Sequence, residues 1–311
     1  MKRLFLNFSN VFSSHRHRNS TYADMSDDEL INCFKPHSWS EICKDDQRML
    51  EVMQELGDRY ADMHGIKDKP IVIKEEDERL LGGYIEGANI ITVNLTEAKR
   101  NSIEVIDTIA HEENHALQYQ CKREHDGSAA GYSEGELAVL KAESAEYEKE
   151  GLRYLFQSLE TDSNNAGLRF TLHYKDKFIN EKEFEEYLQK RAKVYHQIAD
   201  RYAEEPDIIK QSEYGQILKA YSQKKISAKE AECARKCLVE GNSFIRVESD
   251  YLRGQVKKIQ NEIARKRAQE EDDGLGFLDE TCTGRNVERP QEEIEFLRME
   301  KQEIQNEYTI E

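Results

Sequence analysis

The segment from Asn101 to Cys121 constrains this chain most, because its pattern predicts a helix with one apolar face and one polar face. Projection at about 100° per residue gathers the apolar side chains on one arc, which predicts a buried face. The arc consists of Ile103, Val105, Ile106, Ile109, Ala110, Ala116 and Leu117. His111 and His115 fall together on the other side, and Glu112 lies at the edge between the faces. A role for both histidines in core packing is therefore disfavoured.

His111, Glu112 and His115 form the sequence His-Glu-x-x-His, whose spacing suits a metal site. Residues four apart lie one helical turn apart on one face, so two imidazoles can bind the same zinc ion. The glutamate beside them can take a proton from water that the metal activates. The spacing predicts a zinc-dependent metallohydrolase with Zn2+ as cofactor, in which the histidines are ligands and Glu112 is the general base.

Strand and helix patterns surround this motif. Ile71 to Ile73 are β-branched, and Gly82 to Asn94 predicts a hairpin whose turn is supplied by glycines and Asn89. Ser133 to Glu136 has the pattern of a capping box, and we expect the helix that it opens to run to about Phe156. The motif helix is thus predicted to lie between a small sheet and a second helix.

A hairpin strand, a helix with His-Glu-x-x-His and a second helix bearing a glutamate resemble the minimal domain of zincin metallopeptidases, most closely the glutamate zincins. This arrangement is also similar to compact metallopeptidase domains carried by bacterial toxins and effectors. The resemblance covers roughly Pro70 to Phe156. It implies a zinc endopeptidase with a peptide substrate along the strand Asn89–Val93 and a third, carboxylate ligand on the second helix.

Two positions depart from zincin patterns. Glu113 is acidic where zincins usually carry an uncharged residue, and it projects toward the apolar arc, so it needs a cationic partner. The metzincin extension would require glycine at position 118 and histidine at position 121, whereas Gln118 and Cys121 are present. The third ligand must therefore come from elsewhere in the chain.

A helical projection separates the carboxylates of the second helix. Glu143 falls in an otherwise apolar and aromatic stripe made of Val139, Leu140, Tyr147 and Tyr154. A carboxylate in such surroundings is costly unless it is paired or bound to a metal. We predict Glu143 as the third ligand, with Glu146 as second choice and His125, after the motif helix, as the alternative. A residue that stabilises the oxyanion of the reaction is left open among His173, Tyr119, Tyr132, Tyr147 and Tyr174.

The chain is predicted to be an α+β, mostly helical protein with three regions. Residues 1–26 read as a poorly ordered tail, and residues 27–165 as the zincin-like domain. Its boundary is placed at the turn-forming composition of Asp162 to Gly167. Residues 166–311 read as a helical, charged C-terminal region, with a short strand at Phe170 to Tyr174 and a linker at Asp272 to Pro290.

The composition of the chain excludes some classes of binding partner. The net charge of −17 disfavours nucleic acid, because the field of the protein would repel phosphate. No run of about 18 apolar residues exists, so no membrane span is predicted. Six scattered cysteines suggest reduced thiols in the cytoplasm, although export by a route without a signal peptide stays open.

Two functional interpretations remain. The first is a zinc endopeptidase that acts on a protein or peptide substrate and whose C-terminal helices contact a protein partner. The second is a non-catalytic helical interaction protein, in which the zincin-like module is degenerate or binds metal structurally. Zinc content, and activity lost on chelation, distinguish the two.

Overall fold

The structure, a computed structural model, describes residues 22–75, 82–147, 154, 156–204, 206–240 and 243–281. Most of these residues are helical and a small part forms a β-sheet, which confirms the predicted fold class. Among the described helices, none is long and apolar enough to cross a membrane.

The described chain begins with three helices, α1 (Asp27–Asn32), α2 (Pro36–Ile42) and α3 (Asp46–His64). The side chain of Asp45 caps the start of α3. Tyr22, which the sequence assigned to the disordered tail, is buried, and its hydroxyl accepts a hydrogen bond from Arg48 Nε at 2.7 Å. The tail prediction is therefore wrong for this residue, and residues 1–21 lie outside the described part of the chain.

Three strands form a small sheet beside these helices: β1 (Ile71–Lys74), β2 (Gly82–Ile85) and β3 (Ile90–Val93). β2 and β3 are antiparallel, which confirms the hairpin, and Asn89 adopts a positive φ of 52° in its turn. β3 also pairs in parallel with β1, so the strand order is β1-β3-β2. The strand predicted to hold a substrate, Asn89–Val93, is therefore already paired on both sides.

A one-turn helix, α4 (Leu95–Ala98), leads into the motif helix α5 (Ser102–Glu124). The Asn101 side chain caps α5 by accepting from the backbone N–H groups of Ile103 and Glu104. After a 3₁₀ turn at Ser128–Ala130, α6 (Glu134–Ala145) begins with the predicted capping box. It ends at Ala145 and not near Phe156, because the backbone leaves helical geometry at Glu146.

Helix α7 (Ser158–His173) overturns the expected domain boundary. The turn predicted at Asp162 to Gly167 and the strand predicted at Phe170 to Tyr174 are both wrong, since both segments are helical. The predicted boundary between the two domains, after residue 165, falls inside this continuous and largely buried helix. The polar residues that suggest a turn are held in helical form by contacts with neighbouring helices.

The remaining helices are α8 (Lys175–Phe178), α9 (Lys182–Glu204), α10 (Pro206–Ser222), α11 (Ala228–Glu240) and α12 (Phe244–Thr281). The described residues up to Asn261 belong to one compact unit, and a second unit begins at Glu262. Asp272 to Thr281, predicted as linker, is helical, and the linker's remaining residues lie outside the described chain.

Helix α9 is anchored to the motif helix through Asp107, which is fully buried. Arg191 forms an ion pair with Asp107 Oδ1, and the Tyr187 hydroxyl donates to Asp107 Oδ2 at 2.5 Å. Arg191 also donates to Asn164 Oδ1 on α7, at 3.2 Å. The C-terminal region therefore contributes to the core around the motif helix.

Replacing Arg191 by methionine is expected to destabilise the protein by about 3–5 kcal/mol, because the buried Asp107 carboxylate would lose its counter-charge. The adjacent residue Lys190 provides the control, because it forms an exposed ion pair with Glu104, which lies on α5 as Asp107 does. Lys190→Met should cost at most about 1 kcal/mol. Urea unfolding of both variants checks this, and equal losses would contradict the assigned role of Arg191.

Helices α5 and α7 are in close contact at Gly167. A Cβ atom there would lie 2.7 Å from the backbone oxygen of Asp107 and 2.9 Å from its Oδ1. Such distances are shorter than van der Waals contact, so any larger side chain would force the two helices apart.

Gly167→Ala is accordingly expected to destabilise the fold by about 1–3 kcal/mol, the usual cost of overpacking. Gly215, exposed on α10 with open space around its Cβ position, is the matched helical control. Gly215→Ala should stabilise by up to about 1 kcal/mol, since alanine is the better helix former. Thermal unfolding distinguishes them, and a neutral Gly167→Ala would show that the helices can separate freely.

Candidate metal centre

The two histidines of the motif lie together on one face of α5, as predicted. The Nε2 atoms of His111 and His115 are 3.2 Å apart, and both rings are largely buried. Ligand atoms of His111, Glu112 and His115 all lie within 4.8 Å of one another, so this group could hold a metal ion.

A carboxylate that the sequence analysis did not select faces the same two nitrogens. Glu160, in the first turn of α7, places Oε2 at 3.5 Å from His111 Nε2 and Oε1 at 3.5 Å from His115 Nε2. Its side chain is completely buried. Because Glu160 faces the histidines while Gly167 faces Asp107, α7 runs antiparallel to α5. The carboxylate that faces both histidines therefore comes from α7 and not from α6.

The electrostatics of this group suit a cation. Burial alone would raise the pKa of Glu160, but His111, His115 and Tyr147 outweigh that effect and lower the pKa to about 2. Burial likewise disfavours a charged His111, yet the carboxylates of Glu160, Glu112 and Asp107 raise the pKa of this imidazole above its ordinary value. Glu160 is thus ionised at neutral pH.

Donor spacing provides a test of whether zinc fits. Zinc bound tetrahedrally at 2.0–2.1 Å has ligand atoms about 3.3–3.4 Å apart. The separations here are 3.2 Å between the histidine nitrogens and 3.5 Å from each nitrogen to the nearer Glu160 oxygen. Glu160 Oε2 is also buried without a hydrogen-bond partner among the described residues. An ionised carboxylate that directs one oxygen at each imidazole, with Oε2 left without a hydrogen bond, fits a divalent cation.

Glu143, the predicted third ligand, has a different role. Its Oε1 accepts from the backbone N–H of Ser158 at 2.9 Å, and its Oε2 accepts from that of Leu159 at 3.0 Å. These are the first N–H groups of α7, which lack partners inside the helix. Burial raises the pKa of Glu143 to about 7. The ligand prediction is wrong because the carboxylate satisfies the start of the helix that carries Glu160.

The other ligand candidates also lie elsewhere. Glu146 forms ion pairs with Lys219 and Lys225. His125 ends α5 in a left-handed conformation, with its Nδ1 2.8 Å from Lys141 Nζ. Neither contacts the histidines of the motif, so the structure does not support either alternative.

One of the residues left open for oxyanion stabilisation reaches the site. The Tyr147 hydroxyl donates to Glu160 Oε1 at 2.5 Å. The ring of Tyr154 packs edge-on against the ring of Tyr147, with ring centroids 6.1 Å apart. The other candidates have different environments. Tyr132 donates to Asp162, and the ring of Tyr119 lies under the cationic groups of Lys122 and Arg123. Tyr174 packs on Phe170, and His173 is exposed at the opposite end of α7.

Glu113 lacks the cationic partner that its position demanded. Both carboxylate oxygens are buried without a hydrogen bond to any described residue. Burial and the nearby Asp58 raise the pKa of Glu113 well above its ordinary value, and Lys69 only partly opposes them. The side chain packs against Gly57, where a Cβ would lie 2.6 Å from Oε1. Burial therefore favours the neutral form of this carboxyl group over the charged one.

Comparison with protein families, with curated proteins and with solved structures finds no match to this chain.

Proposed function

We propose that this chain is a zinc-dependent metallohydrolase, and specifically an endopeptidase. The observation that carries the proposal is the convergence of His111, His115 and Glu160 beside Glu112. Two imidazoles and one carboxylate are the protein donors of one common class of catalytic zinc site, in which the remaining position is left for water or substrate.

Each residue has a distinct role in this proposal. When bound, zinc supplies a Lewis acid that polarises a carbonyl and makes water more acidic. Glu112 accepts the proton of the attacking water and passes it to the leaving amine. Tyr147 is 39% exposed, and its hydroxyl, which donates to Glu160 in this structure, would turn from Glu160 to donate to the oxyanion of the substrate.

Strand β2 replaces β3 as the element proposed to hold the substrate backbone. β2 packs against the motif helix and, among the described strands, has a neighbour on one side only. A peptide in extended conformation can add to such an edge through backbone hydrogen bonds. This arrangement favours a peptide over a small-molecule substrate.

The experiment that tests the proposal measures zinc and cleavage in the same preparation. Purified full-length protein should contain about one zinc per chain and should cleave proteins in a proteome-wide peptide profile. Cleavage should stop on chelation and return with added zinc. Zinc without cleavage would instead favour the interaction protein with a structural metal, and absence of zinc binding would refute the proposal.

A further inference from the structure

The second ring nitrogen of His115 points away from the proposed metal position. His115 Nδ1 lies 3.0 Å from Gln118 Oε1, one turn further along α5, and 3.2 Å from Ser163 Oγ on α7. A serine hydroxyl can donate or accept, so Ser163 allows either tautomer of the imidazole. The atom of Gln118 that faces His115 therefore decides the tautomer.

Contacts at the other end of the Gln118 amide determine its orientation. Nε2 lies 3.0 Å from the backbone oxygen of Leu159 and 2.7 Å from Asp162 Oδ2. A backbone carbonyl only accepts, and so does a carboxylate oxygen, so the amide nitrogen must face both. Rotating the amide by 180° would bring its oxygen against two acceptors. Oε1 must consequently face His115, where it accepts a hydrogen bond from Nδ1–H.

Asp162 is itself held by other donors. Besides Gln118, its Oδ2 accepts from Asn114 Nδ2 at 2.7 Å and from the Tyr132 hydroxyl at 2.5 Å. These donors come from α5 and from the loop before α6, so the carboxylate is surrounded by groups that fix its position. It holds the glutamine as a rigid acceptor for His115.

We propose that Gln118 and Asp162 are positioning residues that hold His115 in its Nδ1–H tautomer, with the lone pair of Nε2 directed at the metal position. A group that bonds to the second ring nitrogen of a metal-binding histidine orients the ring and sets its tautomer. In this site a glutamine is interposed between the carboxylate and the imidazole. The inference rests on the metal-binding part of the proposed function and does not depend on peptide hydrolysis.

Two variants of the same helix test the proposal in the full-length chain. Gln118→Met removes the acceptor, and Gln120→Met is the matched control. Gln120 is also buried, but it bonds to the backbone of Gly65 and Lys67. Long-range ¹H–¹⁵N spectra of metal-free protein report the His115 tautomer, with the signal assigned from a His115→Ala sample. Titration with zinc against a competing chelator measures affinity.

Wild type and Gln120→Met should both show the Nδ1–H tautomer, whereas Gln118→Met should lose it and bind zinc about 10–100-fold more weakly. An Nε2–H tautomer in wild type would overturn the proposal, and so would equal zinc affinities in the two variants. If Gln118→Met does not fold, the wild-type tautomer decides. The tautomer is measured in metal-free protein and does not require zinc binding. A protein that binds no zinc would therefore refute the proposed function, but the tautomer would still test the roles of Gln118 and Asp162.

Discussion

Replacing Glu160 by alanine is expected to weaken zinc binding by more than about 100-fold, because loss of even a residue that only orients a zinc ligand costs about 10–100-fold. Glu160 supplies the carboxylate that faces both histidine nitrogens at 3.5 Å. The helix should survive the change, because alanine has high helix propensity. Zinc affinity, measured against a chelator of known strength, checks the expectation, and circular dichroism verifies that the total helix content is retained.

Glu143→Gln is the matched comparison, since Glu143 precedes α7 and contacts its backbone without facing the histidines. The amide keeps one acceptor oxygen for the N–H groups of Ser158 and Leu159. We therefore expect a modest loss of stability, about 1–3 kcal/mol, with zinc affinity within about tenfold of wild type. The reverse result, with zinc lost in Glu143→Gln and retained in Glu160→Ala, would restore Glu143 as the ligand.

Glu112→Gln is expected to abolish most hydrolysis while leaving zinc bound. The amide is nearly the same size as the carboxylate but cannot accept a proton from water, and general-base catalysis typically contributes about 10²–10⁴-fold. Turnover of a substrate found by cleavage profiling should fall by that factor. Undiminished turnover would show that Glu112 is not the base.

The adjacent residue supplies a control for this prediction. Glu113 is also buried in α5, where its side chain packs against Gly57 of α3, so Glu113→Gln makes the same chemical change at a different contact of the helix. This variant should retain activity per folded molecule. Equal losses in the two variants would point to damage of the helix and not to removal of a base.

Local patterns were sufficient to predict α5 and the β2–β3 hairpin that precedes it. The apolar arc of α5 is buried as expected, its histidines share the opposite face, and Asn101 caps its start. The hairpin also follows from local chemistry, since Asn89 tolerates the positive φ that its turn requires. In α5 and the hairpin, the structure that the local sequence favours is the same one that the tertiary contacts stabilise, so the predictions for these elements are confirmed.

Glu160, the proposed third ligand, lies on a helix that local composition disfavours. Asp162 to Gly167 is rich in residues that favour turns, because such side chains compete for backbone hydrogen bonds. Within α7 they have other partners: Asp162 accepts from α5, and Asn165 donates to the backbone oxygen of Ile245. The helix is therefore stable only in contact with its neighbours, and no local signal marked its start.

The sequence by itself determined the helix that carries His111, Glu112 and His115, because a spacing of four residues on an amphipathic helix places both imidazoles on one face. Only the tertiary structure decided which carboxylate meets them. Gly167 lets α7 approach α5 closely, Glu143 satisfies the start of α7, and Glu160 is then directed at the histidines. A donor supplied across such a helix pair depends on packing between distant segments, which the spacing of residues within one helix does not encode.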